Sequence, residues 1–436
     1  MAPSGGVDRC GVAAGAALSL QRAAPAPGRT TMFRSLRVRN FRIFMIGQSI
    51  SVAGTWMQNV AVGWLVLQLT GSGGSLGLVF AARYLPLLVL GAWGGLVADR
   101  HDKRFLMRVT SSTQVLVVGL IGLLTLEHSI SVGVLAALIF VSGLVDTVDS
   151  PCRQTMINDL VGGPLLGNAI ALNSVTVNVA RVVGPAVAGL LIAGIGVGPC
   201  FLANAASYVA VFVSLQALRA NEIHRLPRAP RERGQVRAGL AYVLRTPQLA
   251  MPLLLVALSG AFAWEFQVTL PLFTSGVFHG GSDLYGAALA LLAVGSVVGG
   301  FAAARRTRVD LRVVAGTAVL WGFALTLTSF APVLPVALVL LPFVGWGAVS
   351  FNSASKTLLQ TVADERMRGR VMSLWSIGWQ GSTVVGAPAV GFVGQAVGAR
   401  YPLTLGGVVT LMGGAALLGV ARRVRQDAGG ELARRG

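Results

Sequence analysis

Apolar runs of about twenty residues, separated by short breaks rich in glycine or charge, recur along almost the whole chain. Twelve can be counted, at 42–69, 75–98, 106–126, 131–152, 166–194, 198–218, 249–276, 284–304, 313–330, 333–355, 372–398 and 402–421. Each is long enough to cross a ~30 Å hydrocarbon core as a helix. A helix also satisfies its own backbone hydrogen bonds, as a lipid-facing span must, and the period-two alternation of a membrane barrel is absent. The pattern predicts an all-α membrane protein with twelve transmembrane helices.

The longest polar connection divides these segments six and six. The predicted organisation is a disordered tail over 1–31, a six-helix half over 32–218, a linker over 219–248, a second half over 249–421 and a tail over 422–436. The first stretch is rich in Ala, Gly and Pro. Met32, directly before "FRSLRVRNFR", stands where translation can begin. Composition agrees with a membrane protein: 54% of the 436 residues are hydrophobic and 12% charged, and the mean hydropathy is +0.71. A soluble domain has no use for so much apolar surface.

A net charge of +19 suggests nucleic acid in a soluble protein, but here its distribution follows the positive-inside rule. Basic residues crowd the segment before the first helix (Arg34, Arg37, Arg39, Arg42), the second loop (Arg100, Lys103, Arg104, Arg108), the long sixth loop, the eighth loop (Arg305, Arg306, Arg308, Arg312), the tenth (Arg366, Arg368, Arg370) and the tail (Arg422, Arg423, Arg425). The odd-numbered loops carry one, Arg400. Both termini are therefore expected in the cytoplasm, with lipid and not nucleic acid as the partner. Arginine far outnumbers lysine, which with the Ala, Gly and Val excess points to a GC-rich bacterial genome and a bacterial inner membrane. Cys10, Cys152 and Cys200 show neither metal spacing nor an obvious pairing. No metal, cofactor, catalytic set or nucleotide loop is expected, so the chain is read as neither an enzyme nor an ATP-driven pump.

Internal repetition sharpens the picture. A shift of 202 lays "RGRVMSLWS" (368–376) over "LGNAIALNS" (166–174) and matches Gly386 to Gly184 and Gly391 to Gly189. A shift of 205 lays "VGGFAAARRTRVDLRVV" (298–314) over "WGGLVADRHDKRFLMRV" (93–109). Two six-helix halves related by a parallel repeat explain both. In the first copy, Gly94 and Gly95 permit close helix approach, and a carboxylate at Asp99 can cap a neighbouring helix N-terminus.

With these residues the chain resembles the major facilitator superfamily from about Phe33 to Arg425. Gly95, Asp99, Arg100, Lys103 and Arg104 match its signature between the second and third helices. Asp102 replaces the usual glycine, which aspartate tolerates through its access to left-handed turn geometry. "NVARVVGPAVAGLL" resembles the antiporter motif on Gly184, Pro185 and Gly189. Together with "PCRQTMINDLV" and "FLANAASY" it is similar to the drug:proton antiporter and siderophore-exporter branch, the transmembrane secretion effectors. The resemblance implies a conformational latch at Asp99 and Arg100; Ala304 stands in place of Asp99 in the second half. It also implies a central cavity lined by the first, fourth, seventh and tenth helices.

Charges at bilayer depth cost at least ~2.5 kcal/mol each and need reasons. Asp146 and Arg181 fall at similar mid-depth, and Arg83 and Glu265 both fall toward the outer half, so two ion pairs are geometrically possible, Asp146 with Arg181 and Arg83 with Glu265. Asp149 shares a helix face with Asp146 and is expected to hold Arg100 or Arg104. Either Asp146 or Glu265 can serve as a proton-binding carboxylate, or each can be a static tie. Gln48, Trp56, Gln58, Asn59, Trp264, Phe266, Gln267, Trp346, Phe351 and Asn352 are candidate cavity-lining groups, suited to flat amphipathic molecules or equally to helix packing. The leading expectation is proton-coupled efflux of such a molecule by a monomer. The alternatives are a siderophore exporter and a non-transporting receptor or lipid-handling protein on the same scaffold.

Overall fold

A computed structural model describes residues 33–223, 235–306, 308–365 and 367–435. The expected tail over 1–31, the middle of the linker and Arg366 lie outside the described residues, as do the side chains of Arg422, Arg423 and Arg425. The described chain is almost wholly helical. Six long helices come first: α1 (Arg39–Thr70), α2 (Gly73–Arg100), α3 (Lys103–Leu126), α4 (Val132–Val161), α5 (Gly163–Ile195) and α6 (Gly198–Gln216). Then follow α7 (Gln235–Arg245), α8 (Pro247–Phe262), α9 (Phe266–Phe278), α10 (Ser282–Ala304), α11 (Leu311–Ser329), α12 (Leu334–Val362), α13 (Arg368–Ser376), α14 (Thr383–Ala396) and α15 (Tyr401–Arg435).

Local chemistry sets the short breaks. α1 ends at Gly71, whose φ of 60° is left-handed, and Ser72 then caps α2 by accepting from the Ser75 amide. Ser131 and Asp310 cap α4 and α11 in the same way.

Among the described residues ten helices are individually long and apolar enough to span a bilayer. The seventh and eleventh apolar segments, expected as continuous helices, are each broken. In the seventh, the amides of Ala263 and Trp264 both bond the Ser259 carbonyl, and the helix restarts beyond Glu265. In the eleventh, α13 passes through a π-helical stretch, Ile377–Gly381, before α14. Glycines 378 and 381, poor helix formers beside Gln380, weaken that turn.

The stretch read as linker contains α7, bent by 112° from α8. Its Val243 packs on Leu249, Leu359, Ala363 and Val371, and the Tyr242 hydroxyl donates to Asp364 Oδ2 at 3.1 Å.

The sequence repeat reappears as repeated packing. A Cβ on Gly94 would stand 2.3 Å from the Thr147 carbonyl oxygen, so α2 lies directly on α4. Its counterpart Gly299 sets α10 on α12 in the same manner, 2.7 Å from the Trp346 carbonyl oxygen. Backbone-to-backbone seams of this kind are how helices associate where lipid offers no hydrophobic drive.

Two further crossings join the halves, α2 with α14 and α5 with α10. A Cβ on Gly391 would meet the Gly73 carbonyl oxygen at 2.2 Å, and one on Gly286 would meet Gly189 Cα at 2.8 Å. Ser72 Oγ donates to Gln395 Oε1 at 2.7 Å beside the first crossing. Both crossings lie toward the end of the bundle that carries the short, charge-poor loops. Toward the arginine-rich end α5 is loosely packed, with Ala169 alone buried between Gly163 and Val179. The halves are sealed at the charge-poor end and part toward the other.

Candidate functional site

Inside the bundle a few charged and aromatic residues stand out among apolar neighbours. Arg83 is 8% exposed in α2 and ion-pairs with Asp146 of α4 at 3.0 Å. The Gln114 amide donates to Asp146 Oδ1 at 3.0 Å, and Ser142 Oγ donates to Gln114 Oε1 at 3.0 Å. The two pairs read as possible, Asp146 with Arg181 and Arg83 with Glu265, are not formed. Neither the level of Arg83 relative to Asp146 nor rotation about the helix axis was legible in the sequence. A Cβ on Gly143 would meet the Arg83 carbonyl oxygen at 2.1 Å, and this seam turns Arg83 onto α4.

Asp149 likewise holds neither Arg100 nor Arg104. It accepts from Thr110 Oγ1 at 2.7 Å and pairs with Arg153 one turn along its own helix. Asp146→Asn should strand Arg83 and lower transport at least ~30-fold, the cost of an uncompensated buried cation. Adding Arg83→Gln should recover most of that loss. Initial uptake rates in vesicles, set against the amount of folded protein, separate the two.

The signature loop is spent largely on ties within the first half. Lys103 pairs with Asp159 of α4 at 2.6 Å. Arg104 donates to the Leu215 and Gln216 carbonyls at 2.7 and 2.9 Å, capping the C-terminus of α6. Asp102 does not use left-handed geometry: with φ at −66° it is the N-cap of α3, accepting from the Phe105 amide at 2.9 Å. That hydrogen bond explains aspartate at this position better than turn tolerance does. Gly95 is buried beside Gly94, Asp99 is half-buried within electrostatic reach of Cys152 of α4, and Arg100 is exposed.

In α5, Gly184 lies against α1, 2.8 Å from the Ala53 carbonyl oxygen to a built Cβ, while Gly189 and the Pro185 carbonyl meet Ser282 and Gly286 of α10. One turn before this double contact, Arg181 stacks on the Trp56 ring, 4.9 Å from its centroid. Among the described residues no carboxylate pairs with it, and its Nε makes no hydrogen bond.

Glu265 occupies the break between α8 and α9. It is 4% exposed and its Oε1 has no hydrogen-bond partner. The Thr383 side chain of α14 is its polar neighbour. Around it the Trp264 ring lies 5.6 Å from Phe266 and 4.8 Å from Trp379. Trp379 extends the cluster to Trp321, Phe351 and Trp375.

The remaining candidates divide by access. Gln58 is buried in a hydrogen bond from Asn204 of α6, and Phe351 and Phe266 are buried in aromatic packing, so these three are structural. Gln48 and Asn59 are buried with unpaired amide atoms. Trp56, Trp264, Gln267, Trp346 and Asn352 are half-buried. Sequence reasoning missed Thr383, Trp379 and Tyr84, which lies beside Gln267. The 202 shift places Thr383 opposite Arg181, the one signal that pointed to it.

Comparison with known proteins agrees with this architecture. Residues 30–431 match the family model of the transmembrane secretion effectors. The chain is 27% identical over 377 residues to the multidrug efflux pump Tap of Mycolicibacterium fortuitum, covering 82% of this chain and 92% of that one. It is 24% identical over 262 residues to the staphyloferrin A transporter of Staphylococcus aureus, covering 59% of this chain and 65% of that one, just under two thirds of its length. The fold resembles a bacterial homologue of the human lysosomal transporter Spinster in an inward-facing, unoccupied conformation, with TM-score 0.71 and 15% identity over 92% of this chain and 99% of that one. It also resembles a bacterial homologue of the iron transporter ferroportin in an inward-facing state, with TM-score 0.68 and 16% identity over 87% and 98% of the two chains. A multi-pass membrane chain matched over nearly its whole length in this way belongs to the transmembrane secretion effectors of the major facilitator superfamily, a family of transporters and not of enzymes.

Proposed function

We propose that the protein is a proton-coupled exporter of amphipathic organic molecules in the bacterial cytoplasmic membrane. It works as a monomer with both termini in the cytoplasm, and its halves rock about the cleft so that each end opens in turn. The observation that carries this reading is Glu265. It is a buried carboxylate with no cation paired to it among the described residues, and it is set in a helix break. A group so placed can take up or lose a proton as the cleft changes its solvent access. One proton moved through about 100 mV contributes ~2.3 kcal/mol, enough to sustain roughly a 50-fold gradient of a neutral molecule. The efflux activity in Tap's name and the half-buried aromatic groups of the cleft support the same reading.

A second reading, export of a carboxylate-rich siderophore, draws on the unpaired Arg181 and on the name of the staphyloferrin A transporter. The test is transport by purified protein in sealed vesicles with an imposed pH gradient. The proton-coupled reading expects uphill movement of a lipophilic dye that a protonophore abolishes. Faithful movement of a citrate-type chelator alone would favour the second reading. Binding with no movement of either would favour a receptor.

A further inference from the structure

Most of the charge near the cleft is neutralised locally: Arg83 by Asp146, and Asp149 by Arg153 and Thr110. Among the described residues, two charges held away from solvent are not. Arg181 has the Trp56 ring and no carboxylate, and Glu265 has Thr383 nearby and no cation. They have opposite signs, belong to opposite halves and do not pair with each other.

Their levels are matched by the repeat. The shift of 202 that lays Gly386 over Gly184 lays Thr383 over Arg181. Gly386 packs on the Ala261 carbonyl oxygen of α8 as Gly184 packs on that of Ala53 of α1. Arg181 and the neighbouring Thr383 and Glu265 therefore stand about one turn from equivalent crossings. Each charge also has an indole beside it, Trp56 for the guanidinium and Trp264 adjoining Glu265 in sequence.

The two charges differ in one respect that decides what can satisfy them. A carboxyl group can discharge itself by binding a proton, but a guanidinium stays charged at any physiological pH. Arg181 sets its guanidinium over the Trp56 ring, a contact that uses none of its N–H donors, and a guanidinium receives a planar oxyanion in bidentate fashion. A cation alone would leave this permanent charge unanswered, and an anion alone would leave Glu265 unanswered.

We infer that the cleft binds amphoteric aromatic molecules, with a carboxylate on Arg181 and an ammonium or iminium group on Glu265, the flat body lying between the two indoles. The inference rests on the exporter reading for the cleft being a substrate site, and goes beyond it in fixing the charge pattern of the cargo.

Equilibrium binding to the full chain in lipid nanodiscs, followed by fluorescence polarisation, tests it without transport. The probes are a carboxyrhodamine as its amphoteric free acid and the same dye as its methyl ester, which keeps only the delocalised cation. Wild type should bind the acid about tenfold more tightly than the ester, the size of one charge-assisted pair. Arg181→Gln should erase that preference, and Arg181→Lys should keep part of it. Glu265→Gln should weaken both dyes about equally and leave the preference in place. Gel-filtration profiles identify any variant that fails to fold, and Arg181→Lys keeps the test alive if the glutamine does.

Equal affinity for acid and ester, binding of neither, or a preference that survives in Arg181→Gln would overturn the assignment. Preferential binding of the acid by a protein that moves nothing in vesicles would end the exporter reading while the site stood. Proton-driven movement without the preference would do the reverse.

Discussion

Glutamine in place of Glu265 is expected to collapse proton-driven accumulation from about fifty-fold to about one-fold, the whole contribution of a single coupled proton. The substitution keeps shape and leaves a polar group beside Thr383, so folding should be close to unchanged. What disappears is the titratable site. Downhill exchange, which needs rocking but no proton, should continue at a rate within a few-fold of wild type. Asp146 is the rival carrier, but Arg83 and Gln114 already hold both its oxygens. A carboxylate fixed in that way gains little from binding a proton, whereas Glu265 has an oxygen with nothing to lose. Uphill dye movement by Glu265→Gln at the wild-type ratio would transfer the coupling to Asp146 and end the assignment made here.

Leucine at Gly391 should stop the charge-poor end from closing and cut turnover at least ~100-fold. Even the first carbon of that side chain would sit 2.2 Å from the Gly73 carbonyl oxygen. Backbone cannot yield there without separating α2 from α14, and overpacking of this kind costs about 1–3 kcal/mol where it is tolerated at all. The relief available to the molecule is to rock the other way, because the strain exists only while this end is shut. A cysteine pair at Ser72 and Gln395, whose side chains touch at 2.7 Å, reports the state. Cross-linking should be rapid in the Ser72→Cys, Gln395→Cys protein and slow once Gly391→Leu is added. Undiminished cross-linking and transport would show that the glycine seam is dispensable.

The fold was legible because lipid is a demanding solvent: a span either satisfies its own backbone or is not there, and the runs that do so can be counted. The repeat was legible for a related reason, since seams such as those at Gly94 and Gly299 admit no side chain and leave a glycine at the same place in each copy. What sequence could not provide was relative level and azimuth. Arg181 was read as level with Asp146 and Arg83 as level with Glu265, yet the α2–α4 seam brings Arg83 and not Arg181 to Asp146. The breaks in the seventh and eleventh helices were hidden too. An apolar window scores Trp264 and Ile377 as membrane residues whether or not the backbone around them is regular. Thr383, beside Glu265, carries no charge and no motif; its place is visible only by superposing the halves. Arg153 is a different case, for its spacing of four from Asp149 was readable and was passed over in favour of a distant partner.

The chain that joins the halves is fastened at both ends before it crosses. At one end Asn40 of α1 exchanges two hydrogen bonds with the backbone of Arg219, at 3.0 and 3.1 Å. At the other, α7 is docked on the second half through Tyr242 and Asp364. Each half therefore holds its own end of the connection by itself. What the two bodies share directly is helix laid on helix, α2 on α14 and α5 on α10, and any motion of one against the other has those two seams as its bearings.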